Sequence, residues 1–206
     1  MPKEIIDSHI HLFTSSDLAH LSWMTPSHPL HASHSIAEYT TASIPDPADP
    51  IDVAFITGFI FVETDRSYPL PLQATDECLS QPLAELKFAA GLEGCLGVVP
   101  FAPIPLGREG MEKWWAMVEE KEKRRVLGVR YLFQDKPART MLQEGVMDGI
   151  KWALDRGMAF DLGLDFHKGG EWQMIEAVEM LKRVFEGAGS EGGWVVLSDC
   201  PFRFAG

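Results

Sequence analysis

Residues 126–164 read VLGVRYLFQDKPARTMLQEGVMDGIKWALDRGMAFDLGL, and this stretch decides the fold class. Apolar runs open and close it at 126–132 and 158–164, and both runs are typical of buried strands. Between them, residues 140–156 predict a helix, because apolar side chains recur at helical spacing. These are Leu142, Val146, Ile150, Ala153 and Leu154. A strand, a helix and a second strand in this order predict a pair of parallel strands.

The same unit recurs on both sides of this stretch. Apolar runs predict six strands, at Ile5–Leu12, Val53–Glu63, Cys95–Pro100, Val126–Leu132, Met158–Leu164 and Trp194–Leu197. The main predicted helices are Ser80–Leu92, Gly107–Lys123, Thr140–Arg156 and Glu171–Glu186, with a short one at Ile36–Thr41. In the last long helix, the side chains predicted to face inward are Ile175, Val178, Leu181, Val184 and Phe185. From the second strand onward the strand centres lie 31–40 residues apart, which is the length of a βα unit.

These features favour an α/β fold of the (β/α)8 TIM-barrel type. The strands are continuous apolar runs, as expected for parallel strands covered on both faces. No GxGxxG motif follows any of them, which disfavours a dinucleotide-binding sheet. About six strands and five helices are found, whereas the barrel has eight of each. We therefore expect a single barrel domain over residues 1–206 that is truncated after strand six, with an open six-stranded sheet as the alternative. Residues 14–50 predict a long loop or lid insertion.

Charge and cysteine content restrict the partners and the compartment. The chain has 206 residues, and 18 Lys and Arg against 30 Asp and Glu give a net charge of −12, which disfavours nucleic acid as a partner. No apolar stretch approaches the roughly 20 residues that span a bilayer, so no membrane partner is expected. The three cysteines lack a CxxC motif, which argues against a disulfide framework or a zinc knuckle. We expect a cytoplasmic protein.

The sharpest local motif is His9-Ile10-His11 at the end of the first predicted strand. Alternate residues of a strand point to the same face, so the two imidazoles project together. In a barrel that face looks into the mouth where active sites lie. Two imidazoles so placed predict a divalent-metal site, and the alternative is a pair of histidines that only hydrogen-bond in a polar loop.

The segment IIDSHIHLF at residues 5–13 resembles the first-strand signature of the amidohydrolase superfamily. The resemblance covers about residues 4–197, and four further segments carry it. They are LSWMTPSHPLHASHSIAEY (21–39), GFIFVETDRSY (58–68), GVRYLFQDKP (128–137) and MAFDLGLDF (158–166). Together they resemble the amidohydrolase-related family (amidohydrolase 2), and within it the branch of sugar-acid and pyrone-dicarboxylate lactonases.

This resemblance implies roles for individual residues. His9 and His11 match the family's paired histidines, which are catalytic and hold metal. Arg130 matches an arginine that meets the substrate's carboxylate or lactone oxygens, and Gln134 follows in the same motif. The implied cofactor is a divalent metal ion, zinc first, although some lactonases of this branch work without metal. The implied reaction is hydrolysis of a sugar-acid or dicarboxylate lactone by carbonyl polarisation and attack of water.

The sequence departs from the family pattern near its end. Asp199 stands where the family has a histidine at the end of strand six, and the family's strand-eight aspartate, the general base, has no counterpart. We therefore expect a truncated chain with weak activity. Three further residues are predicted to bind substrate, namely Glu63, Asp161 and Trp23.

The weaker candidates each have a structural alternative. Glu63 either faces the pocket or pairs with Arg66, while Asp161 either orients Arg130 or takes part in catalysis. His167 follows strand five and either lines the mouth or is solvated. His28, His31 and His34 recur every three residues, but Pro29 argues against a helix there, so a lid or surface role is expected.

The first hypothesis for function is thus a lactone hydrolase with a small-molecule lactone or carboxylic-acid substrate. The second is a truncated, non-catalytic barrel fragment that self-associates through unpaired sheet edges. The third is a metal-dependent decarboxylase of the same superfamily, which an assay of lactones against carboxylated aromatics would distinguish.

Overall fold

Strands and helices alternate through the residues that the computed structural model describes, which are 3–44, 54–165, 170–186 and 193–199. The strands in this part are β1 (Lys3–Ile10), β2 (Ala54–Val62), β3 (Cys95–Val99), β4 (Gly128–Leu132), β5 (Ala159–Leu164) and β6 (Val195–Asp199). The α-helices are α1 (Ile36–Ala42), α2 (Asp76–Ala90), α3 (Gly107–Met117), α4 (Glu120–Lys123), α5 (Glu144–Leu154) and α6 (Glu171–Phe185). Single 3-10 turns lie at Leu18–His20 and Ile104–Leu106.

The chain divides into two compact units. The first contains Met1–Tyr68, Ser80–Pro100 and Glu120–Val126, and the second contains Pro69–Leu79, Phe101–Glu119 and Leu127–Gly206. In the first unit the strands pair in the order β1-β2-β3, and in the second in the order β4-β5-β6. Every one of these pairings is parallel. The predicted α/β class with parallel sheets is therefore confirmed, whereas the closed (β/α)8 barrel stays a prediction.

The core of the second unit explains why β4 and β5 read as almost unbroken apolar runs. On β5, Phe160, Asp161 and Leu162 are all buried although successive residues face opposite sides. A strand buried at consecutive positions is covered on both faces. Helices α5 and α6 contribute Ile150, Trp152 and Met180 to this core.

Two predicted helices begin or end elsewhere than expected. The predicted helix Gly107–Lys123 is broken, because Val118 takes extended backbone angles after Met117 and its side chain is buried. The predicted helix Thr140–Arg156 begins only at Glu144. The residues before it form turns, and Arg139 has a φ of 71°, a left-handed conformation that does not continue a right-handed helix.

Helix α2 starts earlier than predicted, at Asp76 instead of Ser80. The Thr75 hydroxyl accepts a hydrogen bond of 3.3 Å from the backbone N–H of Cys78. This is the contact of an N-cap residue, and Asp76 and Glu77 place negative charge in the first turn, where the helix dipole favours it.

The prediction of which face of α6 is inward was wrong. Ile175 is 61% exposed and Val178 is 48% exposed, and Phe185 is exposed as well. Of the predicted set, Val184 is buried, and it shares the buried face with Gln173, Glu176, Ala177 and Met180. The helix has apolar side chains on both faces, and the face that packs inward is the one whose polar residues find partners in neighbouring loops.

No helix in the described ranges combines the length and the apolar character needed to cross a membrane.

Candidate active site

The imidazole pair lies at an irregular end of β1. Asp7 pairs with Phe59 of β2 and Ile10 pairs with Phe61, so β1 has one residue more than β2 across this interval. Such a β-bulge turns the strand locally and re-aims its side chains. His9 lies within the bulge and His11 follows the last residue of the strand.

At this end of β1 the two imidazoles lie together, as the alternation of side chains along a strand predicted. The Nε2 atoms of His9 and His11 are 3.2 Å apart, and the rings meet edge to face with centroids 4.9 Å apart. The Nδ1 atom of His11 lies 2.9 Å from the carbonyl oxygen of Val62. Because a carbonyl only accepts, Nδ1 of His11 carries the proton and donates it. The Nε2 lone pair of neutral His11 therefore points toward His9.

The positions of these nitrogens fit two ligands of one metal ion. Zinc binds imidazole nitrogens at about 2.0–2.1 Å, and two such ligands at a near-tetrahedral angle are roughly 3.2–3.4 Å apart. The Val62 carbonyl is also the kind of outer partner that fixes the tautomer of a metal-binding histidine. Within the described residues, no group of three or more His, Cys, Asp and Glu side chains is arranged around a common point. The described pair could thus supply two of the three protein ligands typical of catalytic zinc.

Asp7 supports the strand that carries the pair. Its Oδ1 accepts the backbone N–H of His9 at 3.3 Å, and its Oδ2 accepts the hydroxyl of Tyr39 at 3.2 Å. Burial, together with the negative charge of Asp7, raises the pKa of Tyr39 above its usual value of 10.0. The phenol is therefore protonated at neutral pH and is a donor to Asp7.

Glu63 is buried directly after β2, and its Oε2 accepts the backbone N–H of Asp65 at 2.5 Å. The sequence analysis left open whether Glu63 forms an ion pair with Arg66. The structure joins Arg66 to two other acidic side chains, with Nη2 2.8 Å from Asp17 and Nε 3.4 Å from Glu85. Arg66 is itself buried, so this pairing offsets the cost of removing its charge from water.

The two acidic partners of Arg66 have opposite pKa shifts. Complete burial raises the pKa of Glu85 to about 7, although hydrogen bonds from Thr64 and the charge of Arg66 oppose the rise. For Asp17, partial burial acts upward, but hydrogen bonds from Thr14 and the charge of Arg66 hold its pKa below the usual value of 3.8. Asp17 is therefore already ionised in the pH range in which Glu85 loses its proton.

Trp23 lies in the predicted lid segment and is anchored to the residues after β2. Its Nε1 donates to the carbonyl oxygen of Thr64 at 2.8 Å, and its ring meets those of Phe13 and His28 edge to face. Backbone hydrogen bonds continue this anchoring, since Ser22 donates to Asp65 at 2.9 Å. The segment around Trp23 is thus held against the end of β2.

In the second unit, Arg130 and Asp161 form a buried ion pair. They are register partners on β4 and β5, and the distance from Arg130 Nε to Asp161 Oδ1 is 3.4 Å. The Ser198 hydroxyl donates to Asp161 Oδ2 at 2.8 Å. This arrangement agrees with the interpretation that Asp161 orients Arg130. Ser198 was missed because the predicted strand ended at Leu197.

Gln134 is half-buried, and its backbone carbonyl oxygen accepts a 2.9 Å hydrogen bond from Nε2 of Gln173. No sequence pattern selects Gln173, because its hydrogen-bond partners lie on loops. His167 lies outside the described residues, as does the side chain of Asp199. The predicted convergence of His9, His11 and Arg130 on one pocket stays a prediction.

Comparison with known proteins gives one curated relative and several related folds. No protein-family profile matches the sequence. The chain is 30% identical over 201 residues to L-rhamnono-gamma-lactonase from Scheffersomyces stipitis, and the match covers 88% of this chain and 57% of the relative. The chain therefore spans little more than half the length of that lactonase.

Two solved structures share the fold. Amidohydrolase 2 from Bifidobacterium longum subsp. infantis superposes with a TM-score of 0.57 at 14% identity, covering 95% of this chain and 60% of that protein. An amidohydrolase from Burkholderia multivorans with bound zinc gives a TM-score of 0.64 at 15% identity, covering 93% of this chain and 56% of that protein. The sequence match and the shared fold agree with each other: the chain is similar in sequence to a lactonase and shares its fold with two amidohydrolases.

Proposed function

We propose that the chain is a hydrolase that opens lactones and that the His9–His11 pair is the centre of its active site. The observation that carries this proposal is the 3.2 Å separation of the two Nε2 atoms at the bulged end of β1. The 30% identity to a protein named as a lactonase supports the choice of substrate class. The proposed substrates are sugar-acid or dicarboxylate lactones.

A divalent metal ion, zinc first, is the proposed cofactor, and His9 and His11 are the residues that would hold it. When bound, such an ion polarises a carbonyl and makes a bound water more acidic. The zinc in the Burkholderia multivorans amidohydrolase belongs to that protein and supports the proposal only by shared fold. The fit of the two nitrogens supports it from this chain.

The chain's own residues supply orientation and charge. The Val62 carbonyl fixes the tautomer of His11, so that its Nε2 lone pair is available on the side of His9. Arg130 is the proposed partner of the substrate's carboxylate or of the oxyanion that forms as water attacks. Asp161 holds the Arg130 guanidinium in place. Gln134, Glu63 and Trp23 are proposed to contact the rest of the substrate.

The predicted (β/α)8 barrel fits the parallel pairing of the strands in both units, and we include it in the proposal. Cytoplasmic localisation and self-association through unpaired sheet edges also remain predictions.

The test is an assay of the purified chain with added zinc on an aldonolactone and on a pyrone dicarboxylate, with acid release followed at constant pH. We expect lactone opening that falls at least about 100-fold in His11→Asn, because carbonyl polarisation and orientation are lost together. His31→Asn, which removes an exposed histidine of the same type, is the matched control and should retain activity. A folded chain that opens neither lactone would refute the proposal, and release of CO₂ from a carboxylated aromatic would identify a decarboxylase instead.

A further inference from the structure

Gln173 connects the residues that follow two neighbouring strands. It lies in the first turn of α6 and is only 1% exposed. Its Oε1 accepts the backbone N–H of Asp165, directly after β5, at 3.0 Å, and its Nε2 donates to the carbonyl of Gln134, shortly after β4, at 2.9 Å. A side-chain amide carries an uncharged donor and an uncharged acceptor on separate atoms, so it can bond to two backbone groups at once. One side chain thus satisfies one backbone group after each strand.

Glu176 makes the second connection, one helical turn further along the same face. Its Oε2 accepts the backbone N–H of Arg139 at 2.6 Å, and its Oε1 accepts that of Met141 at 3.0 Å. Arg139 has a φ of 71°, a conformation that residues other than glycine rarely adopt and that persists only where its surroundings impose it. The carboxylate of Glu176 is such a constraint, because hydrogen bonds to a charged acceptor are stronger than neutral ones.

The polar and apolar parts of this buried face are separated along α6. Gln173 and Glu176 lie in its first two turns, while Met180 and Val184 occupy the later turns of the same face. Because α6 follows β5, its first turns lie near the carboxyl end of that strand. In parallel α/β folds this is the end where ligands bind. Buried polar groups destabilise a fold unless they are paired. The presence of Gln173 and Glu176 at this end is therefore explained by their hydrogen bonds to the loop after β4, and not by packing of the core.

We infer that Gln173 and Glu176 are positioning residues that hold residues 133–143 in the conformation that presents Gln134 to the substrate. The role given to Gln134 rests on the proposed lactonase function, whereas the holding of the loop does not. Gln173 fixes the loop at its start through the Gln134 carbonyl. Glu176 fixes it further along, at the strained turn around Arg139.

The first arm of the test is amide hydrogen exchange, which needs no substrate. Gln173→Glu keeps the acceptor for Asp165 but removes the donor to Gln134, and Glu176→Gln removes the charge at the Arg139 turn. Both variants should exchange the 133–143 amides at least about tenfold faster than the unmodified chain, since each opening then breaks one hydrogen bond fewer. Val184→Ala, a buried truncation on the same face, is the control for a general loss of stability and should not accelerate exchange in this loop selectively. Equal acceleration in the control, or none in the two polar variants, would overturn the inference.

The second arm is kinetics on an aldonolactone. A misplaced Gln134 should raise KM about tenfold in Gln173→Glu and leave kcat within about twofold, because uniform binding is lost. Val184→Ala should not reproduce this pattern of a raised KM with an unchanged kcat. If the unmodified chain opens no lactone, the proposed function fails while the exchange data still decide whether Gln173 and Glu176 hold the loop. If it opens lactones but KM is unchanged in a variant with a loosened loop, the presentation of Gln134 is refuted and the proposed function stands.

Discussion

The Nε2 atoms of His9 and His11 lie 3.2 Å apart, while Nδ1 of His11 donates to the backbone of Val62. Two imidazole nitrogens at this distance share either one proton or one cation, since two facing lone pairs repel. The His11 tautomer is fixed from the far side of the ring, as is usual for a histidine that binds metal through its other nitrogen.

We predict from this geometry that the chain binds one zinc ion and that both histidines are needed. His9→Ala and His11→Ala should each lower the affinity for zinc by at least about 100-fold, more than the loss of an outer-shell partner typically costs. Titration calorimetry with zinc at fixed pH measures this, and His31→Ala serves as the control. An unchanged affinity in either variant would place the ion elsewhere in the chain.

A second prediction concerns Arg130, whose side chain is 3% exposed, and its partner Asp161. Removing one member of a buried ion pair leaves the other charge without compensation, which costs about 3–5 kcal/mol. Asp161→Ala should therefore lower the free energy of unfolding by that amount. Asp161→Asn should lower it less, because an amide oxygen can still accept from Ser198.

A double-mutant cycle separates the energy of the Arg130–Asp161 interaction from the packing energy of each side chain. The double variant Arg130→Met/Asp161→Leu should lose about 1–3 kcal/mol less free energy of unfolding than the sum of the losses in the two single variants. Urea denaturation of the four proteins provides the cycle. Strict additivity would mean that the two side chains do not interact and that Asp161 does not orient Arg130.

A third prediction concerns the ion pair between Asp17 and Arg66, which restrains the segment around Trp23. Asp17 accepts from Arg66 at 2.8 Å and from the Thr14 backbone at 2.8 Å. Asp17→Asn keeps one acceptor and loses the charge, so exchange of the 14–24 amides should accelerate about fivefold or more. Asp135→Asn, which removes an exposed carboxylate elsewhere, should leave that exchange unchanged. The same exchange rate in Asp17→Asn and in the unmodified chain would show that the ion pair does not restrain the segment.

Strands β4 and β5 were predictable because burial on both faces requires apolar side chains at consecutive positions. Runs such as GVRYL on β4 stay apolar at consecutive positions apart from Arg130, and the structure buries them as expected. The imidazole pair was predictable for a related reason, because alternation along β1 was enough to place His9 beside His11. The bulge at this point depends on the register with β2, which the HxH motif alone does not reveal.

The buried face of α6 was not predictable from periodicity. Ile175 and Val178 suggest one inward face, yet the helix buries Gln173 and Glu176 instead. The reason lies in backbone groups of Gln134, Arg139 and Asp165, which lie outside the helix and need partners once the loops fold. A pattern of side chains carries no information about which backbone groups remain unpaired, so sequence reasoning favours the wrong face.

The last prediction follows from Glu85, which is 2% exposed and accepts two hydrogen bonds from Thr64, that of the backbone N–H at 3.1 Å. Burial raises the pKa of its carboxyl from the usual 4.5 to about 7, against the hydrogen bonds of Thr64 and the charge of Arg66, and with a smaller upward effect of Asp65. Between these two pH values the folded chain retains a proton that the unfolded chain has lost. The free energy of unfolding therefore falls as the pH rises through this interval.

Glu85→Gln replaces the titrating group by a neutral one of the same shape and should remove this dependence. We expect the variant and the unmodified chain to differ little in stability at pH 5, and the variant to gain about 1–3 kcal/mol over the unmodified chain by pH 8. Urea unfolding at pH 5, 6, 7 and 8 measures the difference, and Glu93→Gln, an exposed carboxylate of the same unit, should track the unmodified chain throughout. Other carboxylates titrate equally in both proteins, so only the difference carries the signal. A difference that stays constant from pH 5 to 8 would mean that Glu85 remains ionised beside Arg66 and that its burial does not govern its protonation.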